Sequence, residues 1–221
     1  EDCIYISHLD TGNGYGGEQL LAIITRIAMN CDISHLMLED QSSKTVNIRG
    51  GGECKVNLAH KCIMTKKLSW YNNRGFYQPR FDEQHAIWTK LLDEKITFRE
   101  IIPYLKDFTY GMWMERIHYV KWYEDGLKNF LDILIHEGVV AKTSIITKDI
   151  YSDCMIGAIN ILLKYGYGDA PICDMIKHID SNFRVEGGYP KSMNSFKIDH
   201  LYFTLCSYVF PYYRHNLVKS F

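Results

Sequence analysis

Four glycines, Gly12, Gly14, Gly16 and Gly17, fall within six residues between a strand-like run and a helix-like run, and nothing else in the chain narrows its folds as much. Before them, Cys3-Ile4-Tyr5-Ile6-Ser7-His8-Leu9 is rich in β-branched and aromatic residues in alternation, the pattern of a strand. After them, Leu20, Ile23, Ile24, Ile27 and Ala28 recur at spacings of three and four, which predicts a helix from Glu18 with one apolar stripe. Asn30 and Asp32 punctuate its end. Ser34-His35-Leu36-Met37-Leu38 then reads as a second strand running into Glu39 and Asp40. Such short connections make the two strands parallel neighbours joined by a right-handed crossover. The glycines let the backbone turn sharply or approach a ligand closely. A loop that opens a helix also presents unpaired amides and the positive end of the helix dipole, which suits a phosphate or pyrophosphate.

Further along, Gly50-Gly51-Gly52 marks residues 44–54 as an exposed loop, and Val56, Leu58, Ala59, Cys62 and Ile63 predict a helix over 56–68. Gly75 breaks that helix, Phe76-Tyr77 opens a strand, and Gln78-Pro79 stops the strand early or confines it to an edge. Beyond Phe81 the glycine loops vanish. Ile87, Trp88, Leu91 and Leu92 mark one helix. Phe98, Ile101, Ile102 and Leu105 mark another, with Thr97 as its cap and Glu100 three residues on. Trp113 to Leu134, Asp149 to Tyr165, Pro171 to Ile179 and Phe196 to Phe210 are also helical in pattern. The chain therefore divides into an α/β portion, residues 1–81, and a mostly helical portion, residues 82–221.

The 221 residues are 47% hydrophobic and 23% charged, which is globular usage. Twenty-five Lys and Arg against 26 Asp and Glu leave a net charge of -1, so no whole-chain field points to nucleic acid or to an anionic membrane. No apolar run approaches the ~18 residues of a membrane helix, and a soluble, cytoplasmic protein is expected. The seven cysteines lack C-x-x-C spacing and read as free thiols in a reducing compartment. The nine histidines form no H-E-x-x-H pair, and no metal is expected. His8 and His35 fall on the two predicted parallel strands, too few ligands for a site. Aromatics interleaved with basic residues, at Tyr119-Val120-Lys121-Trp122-Tyr123 and Phe210-Pro211-Tyr212-Tyr213-Arg214-His215, suit a core or a protein partner.

Two readings of the glycine loop compete. Gly12, Gly14 and Gly17 form G-x-G-x-x-G, with Glu39 or Asp40 about twenty residues on where a ribose-binding carboxylate would sit, the fingerprint of a dinucleotide fold. Nothing after Asp40 supplies the further β-α-β units such a fold needs. Alternatively, Gly14-Tyr15-Gly16-Gly17-Glu18-Gln19-Leu20-Leu21 resembles the acetyl-CoA-binding loop of the GCN5-related N-acetyltransferase superfamily. Leu36-Met37-Leu38-Glu39-Asp40-Gln41-Ser42-Ser43 looks like the family's next strand, especially in its large-DNA-virus members. Ser69-Trp70-Tyr71-Asn72-Asn73-Arg74-Gly75-Phe76 is similar to the family's Y-x-x-x-G-F ending of the following helix.

The resemblance covers roughly residues 3–81 and implies an α/β fold: a partial acetyltransferase-like mixed sheet, its front half missing before Cys3, with a helical C-terminal extension. It implies acetyl-CoA as substrate, held by Leu9, Thr11, Gly12, Gly14, Tyr15, Gly16 and Gly17. It further implies an amine acceptor, Tyr71 as general acid toward the CoA sulfur, and Glu39 or Asp40 as base. Thr11 stands where the family's loop carries Arg or Gln, and Met64 where an Asn is common. A non-catalytic descendant, serving as scaffold or assembly protein of a large DNA virus in the host cytoplasm or the virion, is the rival expectation.

Overall fold

The computed structural model describes residues 2–7, 9, 14–40, 42–49, 51–107, 131–142, 148–209 and 216–221. The elements run β1 (Cys3–Ile6), α1 (Gly17–Asn30), β2 (His35–Glu39), β3 (Ser43–Asn47), β4 (Glu53–Asn57) and α2 (Leu58–Lys66). A 3-10 turn (Asn72–Arg74) leads to α3 (Phe81–Asp93) and α4 (Phe98–Lys106), then α5 (Lys148–Lys164), α6 (Ile172–Phe183), α7 (Met193–Val209) and β5 (Asn216–Ser220). The chain is mixed α/β, rich in helix, and among the described residues no helix is long and apolar enough to cross a membrane.

β1 and β2 are parallel, in register from Cys3↔His35 to Ile6↔Leu38, with α1 as the crossover. The sequence pattern expects a continuous apolar stripe on α1, yet only Leu21 and Ala28 are buried while Ile23 and Ile27 are exposed. The parallel unit is joined on its other side by β5, antiparallel to β2 from His35↔Ser220 to Glu39↔Asn216. The strand expected at Phe76-Tyr77 contracts to a single bridge, in which the Tyr77 and Val218 amides each donate to the other's carbonyl at 2.8 and 2.9 Å. The sheet's last full strand thus comes from the chain's end, inside the portion expected to be helical. Helices α3 to α7 therefore lie in sequence between two segments of one sheet.

Residues 44–54, expected as a loop, are mostly a hairpin. β3 and β4 pair antiparallel from Ser43↔Asn57 to Asn47↔Glu53, with Gly51 and Gly52 at φ 109° and 105° in the turn. Among the described side chains of the two strands, Val46 and Val56 are the buried apolar ones. The helix expected at 56–68 starts at Leu58 because the Asn57 side chain caps it, accepting from the His60 amide at 2.8 Å.

Besides β5, an ion pair and a backbone hydrogen bond tie the helices to the α/β elements. Asp180 on α6 pairs with Lys61 on α2 at 2.8 Å and with Arg184 at 2.6 Å. Tyr189 donates its amide to the Asn47 carbonyl at 2.7 Å, fastening the α6–α7 loop to the hairpin. The Tyr189 and Tyr167 hydroxyls both donate to Asp199, a carboxyl on α7 that is 1% exposed. Around these lies an aromatic core in which Phe98, Tyr202, Phe196 and Phe183 pack at centroid distances of 4.9–5.8 Å with Tyr167 and Tyr189. α4 begins with the expected capping box: Thr97 accepts from the Glu100 amide, and Glu100 accepts from the Thr97 amide at 2.7 Å.

Candidate functional site

The site is built where β1 and β2 part. Their ladder ends at Ile6↔Leu38, while β2 continues with β5 through Glu39↔Asn216. In open α/β sheets ligands sit in the crevice outside the carboxyl ends of parallel strands, and the glycine loop and the end of β2 both lie there. Gly14 has φ +84°, a left-handed conformation that favours glycine. Gly16 is extended and caps α1; its amide donates to the Gln19 Oε1 at 3.0 Å, and its carbonyl accepts from Leu20 at 3.1 Å. The amides of Gly17, Glu18 and Gln19 therefore head the helix without an acceptor one turn back, at its positive end. Leu9 is half-buried against the core, and Tyr15 is exposed. Thr11 and Gly12 lie outside the described residues, as does His8.

The second component is a turn that its own side chains hold in place. Ser69 and Asn72 are buried: the Ser69 amide donates to Asn72 Oδ1, and the Asn72 amide donates to Ser69 Oγ, each at 3.1 Å. Asn72 Nδ2 donates onward to the Phe76 carbonyl at 2.8 Å and to Gln78 Oε1 at 3.2 Å. Gly75, at φ +84°, lets the chain leave the turn toward β5. This turn presents Trp70, Tyr71 and Arg74. The Arg74 guanidinium lies 3.7 Å from the Trp70 ring centroid, donates to the Trp70 carbonyl at 3.0 Å, and reaches Glu18 at 3.0 Å. The Trp70 ring lies 3.7 Å from where a Cβ on Gly17 would stand. The first turn of α1 and the 69–76 turn are thus clamped together.

Tyr71 packs edge-on against Trp70 at 4.8 Å and against Phe76 at 6.2 Å. Burial, and then the charge of Asp40, raise its hydroxyl above the ordinary tyrosine range, so it carries its proton at neutral pH. Asp40 is 1% exposed and accepts from the Ser42 amide at 3.1 Å. Along β2, Leu36 and Leu38 are buried and Asp40 follows them in parity, whereas Glu39 is exposed. Of the two candidate carboxylates, Asp40 is buried and its charge acts on Tyr71, whereas Glu39 is exposed.

The sequence motifs give Trp70, Arg74 and Glu18 no role of their own, although an aromatic and an arginine four residues apart can stack, as they do here. The parallel extension that a dinucleotide fold needs does not follow β2, whose second neighbour is the antiparallel β5. Among the described residues, no three His, Cys, Asp or Glu side chains cluster as metal ligands, and Cys3, Cys31, Cys62, Cys154, Cys173 and Cys206 are free thiols. Both interleaved aromatic segments, 119–123 and 210–215, lie outside the described residues. No family model, no curated protein and no solved structure matches the chain.

Proposed function

We propose that the chain binds acetyl-CoA at the mouth between β1 and β2 and transfers the acetyl group to an amine. One observation carries the reading: Gly17 against Trp70, and Glu18 against Arg74, bring the loop that opens α1 together with the turn that bears Tyr71. These are the segments whose residues resemble the acetyltransferase pattern. The leading amides of α1 suit the pyrophosphate. Acetyl-CoA supplies an activated thioester; the chain's part is to orient it and to manage protons. Tyr71, held protonated, gives its proton to the sulfur as the C–S bond breaks, and Asp40 or water takes the proton lost by the attacking amine.

A non-catalytic descendant draws support from the packing of Tyr71 against Trp70 and Phe76, which would also suit a purely structural ring. Calorimetric titration with acetyl-CoA, followed by thiol release in the presence of a panel of primary amines, separates the two. The catalytic reading expects binding, and it expects Tyr71→Phe to keep affinity within about twofold while slowing turnover by about 100-fold. Equal turnover removes Tyr71 from the acid role, and no binding of acetyl-CoA refutes the proposal.

A further inference from the structure

On the flank of α1 runs a groove of about 580 Å³, lined on the helix side by Leu21, Ala22, Thr25, Arg26 and Met29 and on the other wall by Arg74 and Lys219. With Glu18 at its end, the groove holds three cations and one carboxylate, a local charge of +2 in a chain whose total is -1. Arg74 is committed to Glu18 and Trp70, which fixes its guanidinium in place. Its Nε is buried without a hydrogen-bond partner. Arg26 and Lys219 differ. Neither has a carboxylate within ion-pair distance among the described residues. Lys219 projects from β5 with its ammonium 5.7 Å from the ring centres of both Phe76 and Phe221. Two cations without an ion pair among the described residues therefore line one groove, beside a third that is already oriented.

We propose that this groove is a binding site for a free phosphorylated small molecule of nucleotide size, separate from the glycine loop. The chemistry follows from the lining. Unpaired cations brought together repel one another, and an anion carrying two or more charges relieves that repulsion while making charge-assisted hydrogen bonds to both walls. An arginine offers a planar fork and a lysine a compact point charge, and both are phosphate binders. Leu21, Ala22 and Met29 supply an apolar floor for a base or other organic moiety, and Thr25 a neutral hydrogen-bonding group. The volume falls within the range of small-molecule sites. Because α1 contributes one wall and β5 the other, the ligand would bridge the helix that opens the candidate active site and the strand that completes the sheet.

The test uses the full chain with ATP and with inorganic pyrophosphate as probes, read by calorimetric titration. Saturable one-to-one binding of ATP, weakened about tenfold by Arg26→Gln and by Lys219→Gln but unchanged by Lys90→Gln on the exposed side of α3, is the expected result. Arg26 is exposed on a helix, so its variant reports on the groove even where a change on β5 disturbs folding. Pyrophosphate should bind more weakly than ATP and show the same pattern among the variants. Three results overturn the proposal: no saturable binding of either probe, equal weakening by Lys90→Gln, or one-for-one displacement of ATP by CoA, which would give the cations to the coenzyme of the neighbouring loop. The acetyl-transfer reading stands or falls separately, since it is read by acetyl-CoA binding and by Tyr71→Phe.

Discussion

Asp199 and His200, consecutive on α7, should cancel each other's effect on stability, and removing either should expose the other. Asp199 accepts from two buried tyrosine hydroxyls, with the Lys191 ammonium 3.5 Å away, and burial pushes its carboxyl up from 3.8 to about 7. A raised carboxyl favours the fold most below the unfolded value of 3.8, and that contribution is lost as pH climbs toward about 7. His200 is buried, stacked on Phe196 at 5.8 Å, and burial lowers it from 6.5 to about 4. Its contribution is complete above 6.5 and is lost as pH falls toward about 4. Each pKa unit is worth about 1.4 kcal/mol, so over two pH units inside the shared window each group contributes a slope of roughly 2.5 kcal/mol, with opposite signs. The wild-type chain should therefore show little pH dependence from this pair between pH 4.5 and 6.5. Asp199→Asn should make stability rise with pH by roughly 2.5 kcal/mol, and His200→Asn should make it fall by a similar amount. Urea unfolding followed by circular dichroism reads both as movements of the midpoint of about 1 M in opposite directions. Two variants with the same pH slope would refute the reasoning, whatever their absolute stabilities.

Two further substitutions probe how the helices are attached. Gly188 has φ +102°, and a Cβ there would stand 2.8 Å from the Asn47 carbonyl oxygen, so Gly188→Ala should cost about 2–3 kcal/mol and loosen the hairpin. A lower unfolding midpoint with faster proteolysis near residue 51 is the expected readout, and an unchanged midpoint would show that the contact yields freely. Thr97→Ala removes the hydroxyl of the α4 capping box and should cost about 1 kcal/mol, read from the same unfolding curves, with Thr97→Ser restoring most of it.

The elements legible in the sequence are those whose burial is written locally. β1, α1 and β2 follow from a period of two, a glycine loop and a period near four, and α4 announces itself through Thr97 and Glu100. The hairpin was obscured by Gly50-Gly51-Gly52, which read as a loop, although Val46 and Ile48 on one side and Cys54, Val56 and Leu58 on the other alternate with polar residues. β5 left less of a mark, since Leu217 and Val218 gain their meaning from partners at Leu38, Met37 and Tyr77, far away in the chain. Within the site, the 69–76 segment was readable as a unit, but the clamp between Arg74 and Glu18 depends on the fold. The choice between Glu39 and Asp40 was within reach: Leu36, Leu38 and Asp40 share one parity, so extending the alternation one residue past the strand puts Asp40 on the covered side.

The helical elements are more than an appendage to the candidate site. Asp40 stands at the end of β2, between a strand that β5 secures and a hairpin that Tyr189 holds at Asn47. Tyr71 follows α2, which Asp180 anchors to α6 through Lys61. The two groups assigned proton roles thus reach their positions through different contacts with the same helical elements. Asp199 stands behind one of those contacts, because the tyrosine whose hydroxyl it accepts is the one whose backbone pins the hairpin. Strand β5 and the Lys61–Asp180 and Tyr189–Asn47 contacts thus join residues 82–221 to the elements that hold Asp40 and Tyr71.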